Sequence, residues 1–108
     1  MSYKVDTIAP FRKEAKKLIK KYPSLKNELA ELGSQLSIDP AGGTALGNNC
    51  YKIRLAIASK GKGKSGGARV FTHFYVTDNT VFLLSIYDKS VQDSISDSEI
   101  KALLRLIH

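Results

Sequence analysis

A chain of 108 residues with 43% hydrophobic residues is long enough for one hydrophobic core and too apolar for a disordered basic tail, so a single domain over 1–108 is expected. Seventeen Lys and Arg against ten Asp and Glu, a formal charge of +7, call for an anionic partner: nucleic acid, an anionic membrane or an acidic protein. One cysteine, Cys50, and two histidines, His73 and His108, exclude an internal disulfide and offer no metal-ligand spacing. With no apolar run near ~18 residues and no signal-peptide pattern in Met-Ser-Tyr-Lys-Val-Asp, a cytoplasmic chain is expected.

Tyr3, Val5 and Thr7 alternate with other residues and predict a short strand over 3–8. Pro10 suits the first turn of a helix, along which Phe11, Ala15, Leu18, Ile19 and Tyr22 recur at helical spacing. Arg12, Lys13, Lys16, Lys17, Lys20 and Lys21 occupy the rest of that helix, either as a solvated face or as a surface that docks on ribosomal RNA. Pro23 ends it. Ser24 can cap a second helix carrying Leu25, Leu29, Leu32 and Leu36, with Gly33 as a weak point, and Asp39-Pro40-Ala41-Gly42-Gly43 stops it.

The period then changes. Residues 50–57, 68–76 and 80–87 are rich in β-branched and aromatic residues and read as three antiparallel strands, the last two joined through Thr77-Asp78-Asn79. Val81-Phe82-Leu83-Leu84 is apolar without alternation, as in a strand covered on both faces, and is expected at the sheet's centre. Ser96 and Glu99 fit a capping box, followed by Ile100, Leu103, Leu104 and Ile107 on one side of a C-terminal helix that packs back.

The chemistry concentrates between Pro40 and Thr77, where no acid occurs. Lys60, Lys62 and Lys64 alternate with glycines, which let main chain approach a polyanion closely, and Lys52, Arg54 and Arg69 flank them. Period two sends Lys52 and Arg54 to one face of their strand and Arg69, Phe71, His73 and Tyr75 to one face of the next, so pairing would gather the cations. A solvated basic face without catalytic use is the alternative. Ala58 through Gly63-Lys64-Ser65 matches a permissive phosphate-loop spelling, but a strand follows where a helix is needed, which rejects nucleotide hydrolysis.

RNA can be cut without metal when its own 2′-hydroxyl attacks the neighbouring phosphate. Arg69 or Arg54 would clamp the transition state, and Lys52, crowded by cations, would serve as base. His73 is either a packed strand residue or an acid or base. Tyr87 either packs in the core or stacks on a base.

On these residues the chain resembles the RelE/ParE superfamily of bacterial toxins, and particularly the HigB-like RelE toxins. Cys50-Tyr-Lys-Ile-Arg-Leu55 is similar to the family's basic strand, Ser65-Gly-Gly-Ala-Arg69-Val-Phe71 to the next, Ser59 to Lys64 to the HigB-like loop, and Ile86-Tyr-Asp-Lys89 to the end of the last strand. The resemblance implies an α+β fold, β-α-α-β-β-β(-α), with an N-terminal helical hairpin packed on an antiparallel-dominated sheet. It implies the toxin of a type II toxin-antitoxin pair, a metal-independent endoribonuclease without cofactor that cuts mRNA in the ribosomal A site. Its partners would be a cognate antitoxin, the ribosome and mRNA, with no membrane and no metal. It assigns catalysis to Lys52, Arg54, Arg69, Lys89 and Tyr87, and RNA binding to Lys60, Lys62, Lys64 and His73. Where RelE carries a tyrosine six residues beyond the last basic position, this chain has Ile95. A gyrase inhibitor of the ParE branch and a non-catalytic RNA-binding module are the alternatives.

Overall fold

The apolar stripe beginning at Phe11 does form a helix. In the computed structural model, which describes residues 2–61, 63, 66–92 and 94–107, α1 spans Ala9–Lys21, with Pro10 in its first turn and Phe11 and Ala15 buried. Lys20 and Lys21 sit at its C-terminal end, where cations favour the helix dipole, and the Tyr22 N–H closes onto the Leu18 carbonyl at 2.7 Å. α2 (Leu25–Ile38) buries Leu25, Leu32 and Leu36. Gly33 does not interrupt it, because burial of Leu32 and Leu36 on either side holds the helix through its cost in backbone freedom. Ser24 precedes α2 but caps nothing in it. Its hydroxyl instead accepts the Ser59 N–H at 2.9 Å.

Strand β1 (Lys4–Thr7) precedes the helices, and β2 (Thr44–Gly47), β3 (Cys50–Leu55), β4 (Ala68–Tyr75) and β5 (Thr80–Asp88) follow them. The described strands form a sheet of order β1-β5-β4-β3-β2, in which β1 runs parallel to β5 and all other pairs are antiparallel. The sequence reading missed β2. It is exposed along its length and has no apolar alternation, and only its turn betrays it: Asn48 and Asn49 hold φ of 53° and 58°, the left-handed pair of a two-residue hairpin.

The run Val81-Phe82-Leu83-Leu84 lies, as expected, in an inner strand, between β1 and β4, and a bulge adds to its loss of alternation. Phe71 opposes Ser85 while Thr72 opposes Leu83, so Leu84 is the extra residue of a β-bulge and the alternation is reset there. β4, not β5, is the middle strand. α1 and α2 cover one face of the sheet, where Phe11, Leu25 and Leu36 belong to one core with Ala68, Val70, Val81, Leu84 and Ile86. α3 (Asp97–Leu104) starts at Ser96, whose hydroxyl accepts the Glu99 N–H at 3.2 Å as the capping box requires. It lies over the other face, where Ile100 shares a cavity with Lys52, Phe71 and Tyr87.

Candidate functional site

The site face is built by register. Arg54 on β3 stands directly opposite Arg69 on β4, and Arg69 directly opposite Tyr87 on β5, giving a row of arginine, arginine and tyrosine across three strands. The next row on that face, about 7 Å along the strands, holds Lys52, Phe71 and Ser85. Opposite side chains lie about 5 Å apart at Cβ, and like charges in that relation destabilise a sheet. The register therefore concentrates positive charge on this face of β3 and β4.

Their environments differ. Arg54 is exposed, Lys52 is half-buried, and Arg69 is only 5% exposed. A guanidinium so deeply set needs polar partners, one of which is the Ala68 carbonyl, 3.1 Å from its Nη1. Tyr87 is buried and packs its ring on Phe71, with centroids 5.9 Å apart. Lys89 follows just beyond the end of β5, half-buried, with its backbone N–H on the Gly67 carbonyl at 3.0 Å. That contact joins the start of β4 to the end of β5 beside Arg69. Ile95 lines the cavity of about 160 Å³ that also contains Lys52, Phe71 and Tyr87, so the position where RelE carries tyrosine borders this site.

The remaining expected residues lie elsewhere. Lys60 does not turn towards the arginines. Its ammonium pairs with Asp88, on the helix-covered face, donates to Ser90 Oγ at 2.9 Å and stands 5.5 Å from the centre of the Tyr22 ring. Only 8% of its side chain is exposed. Lys62 and Lys64 lie outside the described residues, so of the three loop lysines the one described serves the fold. His73 shares the arginine face but sits four residues from Arg69 on the strand, about 13 Å away. It is buried, with Cys50 Sγ 3.5 Å from Nδ1 and the Tyr75 ring stacked at 6.5 Å, an environment of packing.

Sequence reasoning overlooked Asp88. It accepts from Lys60, from Ser90 N at 2.9 Å and Ser90 Oγ at 2.7 Å through Oδ1, and from the Tyr22 hydroxyl at 3.0 Å through Oδ2. Burial pushes its carboxyl up, but these hydrogen bonds outweigh burial and hold it well below the usual carboxylate range. Burial also pushes the Cys50 thiol up, which suits a packing residue rather than a nucleophile.

Among the described residues, no group of three or more His, Cys, Asp or Glu could hold a metal, and no helix is long and apolar enough to cross a membrane. The arrangement offers two arginine forks, a lysine and a phenol on one sheet face, with a second lysine at its end. That set can bind and neutralise a phosphodiester.

Comparison with known proteins bears on the family and the fold. Residues 9–107 match the family model described as RelE toxin of the RelE/RelB toxin-antitoxin system. Among solved structures, a double arginine-to-alanine mutant of the Escherichia coli toxin RelE in the free state superposes with a TM-score of 0.66 at 19% identity, covering 100% of both chains. A RelBE toxin-antitoxin complex of Mycobacterium tuberculosis matches with a TM-score of 0.54 at 17% identity, over 82% of this chain and 92% of that one. The intact E. coli RelBE complex matches with a TM-score of 0.52 at 25% identity, over 81% of this chain and 96% of that one. The fold is the α+β fold of these toxins, and the chain belongs to the RelE toxin family.

Proposed function

We propose that this protein is a ribosome-dependent endoribonuclease that cuts messenger RNA in the ribosomal A site, acts in the cytoplasm and is held inactive by a cognate antitoxin. One observation carries the reading: Arg54, Arg69 and Tyr87 stand in one row across three adjacent strands, with Lys52 in the next row, a set of side chains that suits a phosphodiester. Family membership and the likeness to toxin-antitoxin complexes support the antitoxin.

In this mechanism the RNA's 2′-hydroxyl oxygen attacks the adjacent phosphorus and its proton passes to a base, for which Lys52 is the residue in the neighbouring row. Arg69 and Arg54 hold the non-bridging oxygens as charge accumulates on the phosphorane. The bond from phosphorus to the 5′-oxygen then breaks, leaving a 2′,3′-cyclic phosphate, and the departing oxygen takes a proton from Tyr87 or Lys89. DNA lacks the attacking hydroxyl, so the chemistry selects RNA. A cavity of about 160 Å³ opens beside Lys52 and Tyr87, lined on its other side by Ile95 and Ile100.

Primer extension on a translated message after induction without antitoxin tests this. Cuts within codons that vanish when translation is blocked are expected. Equal cutting of naked RNA would remove the ribosome from the account, and DNA breaks with intact messages would replace it with gyrase inhibition. Binding of RNA without any cutting would leave a non-catalytic RNA-binding module.

A further inference from the structure

The end of β5 is paired on one side only. β1 pairs with β5 only as far as Leu83, and the ladder with β4 stops at Ala68 and Asp88. Residues 84–88 thus have a strand neighbour on one side only, yet Tyr87 lies there and Lys89 follows at once. A strand end so placed frays unless something fixes it, and reacting groups must be fixed to about 0.5 Å to be effective.

Asp88 supplies the fixing. It lies between the two site residues, and its side chain points to the opposite face of the sheet, where three separate parts of the chain converge on it. These are Tyr22 from the C-terminal end of α1, Lys60 from the turn after β3, and Ser90 just beyond β5. Lys60 is itself held: its turn, residues 58–60, is tied to the helical hairpin by Ala58 N–H donating to Glu28 Oε2 at 2.7 Å and Ser59 N–H donating to Ser24 Oγ at 2.9 Å. The Asp88 carbonyl also accepts from the N–H groups of Val91 and Gln92, both at 3.0 Å. The hub is therefore anchored to the rigid helical layer, and both side chains of its ion pair are buried, 8% and 3% exposed. Ion pairs buried so completely are seldom kept for stability alone, since an apolar pair of similar volume serves as well.

We propose that the Tyr22–Lys60–Asp88 cluster is a positioning device: it fixes the end of β5 from the helix face, so that Tyr87 and Lys89 stand against Arg69 on the other. This rests on the ribonuclease reading above. Asp88, Lys60 and Tyr22 are positioning residues, since their side chains meet on the face of the sheet opposite the arginine row.

The test is Tyr22→Phe, which removes only the hydroxyl that Asp88 accepts and leaves the ring beneath Lys60. Cleavage of a translated message is measured over a range of toxin concentrations, together with amide hydrogen exchange of the purified full chain. The cluster's role requires a fall of about tenfold in the saturating rate, an unchanged half-saturating concentration, and faster exchange confined to residues 87–91. An unchanged rate would overturn it, and so would a rate loss accompanied by faster exchange throughout β4 and α1, which would mean general destabilisation. If the wild-type chain cuts no RNA, the ribonuclease reading fails by itself. Exchange then decides alone: faster exchange limited to residues 87–91 in the variant upholds the cluster as the anchor of β5, and unaltered exchange there rejects it.

Discussion

In the proposed reaction Arg69 is the residue on which the chemistry turns, because it is the middle member of the row and the more buried of its two arginines. Desolvation would strengthen its hold on a phosphate in that reaction relative to Arg54, which is exposed and screened. Ile95 is the weakest point of the same site. It lines the cavity with Lys52 and Tyr87 but offers no proton and no flat ring for a base. Ile95→Tyr is expected to raise the rate of mRNA cutting by about tenfold or more, within the range that a positioned acid or base supplies. Single-turnover cleavage on programmed ribosomes measures it, and an unchanged rate would mean that Tyr87 or Lys89 already fills that role.

At the scale of elements, the site depends on how closely β3 and β4 are joined where the loop between them returns. Gly67 marks the place. A Cβ there would lie 2.1 Å from the Leu55 carbonyl oxygen, main chain that cannot swing aside. Gly67→Ala should therefore push the start of β4 away from β3 and cost about 2 kcal/mol, lowering the melting temperature by roughly 10 °C in a domain of this size. Calorimetry reads this directly, and a shift under a few degrees would show that the strands adjust freely. The helices, the three long strands and the capping box were legible because each follows from local periodicity or a local cap. β2 was not, since an exposed four-residue strand buries nothing and leaves only two asparagines as a signal. Nor was the bulge in β5, because a break in alternation looks the same in sequence as burial on both faces. The gathering of Lys52, Arg54 and Arg69 on one sheet face was legible from period two. The fate of Lys60 was not: its acid lies 28 residues further on, and only the fold brings them together.

Over the whole molecule, charge is divided between layers. The six cations of α1 line its exposed side, while α1 buries Phe11 and Ala15 against the sheet, whose far face carries the arginine row. An RNA approaching as proposed would meet positive charge from either side, which raises association rates without specifying a sequence. In the proposed reaction, specificity would come from the row where Arg54 and Arg69 stand opposite each other. The decisive measurement is cleavage of a translated message by Arg69→Ala beside the wild type, with ribosome binding followed in parallel. Loss of a buried charged donor from the phosphate should slow cutting by about a hundredfold or more while ribosome affinity changes little. A variant that cuts as fast as the wild type would contradict the account at its centre.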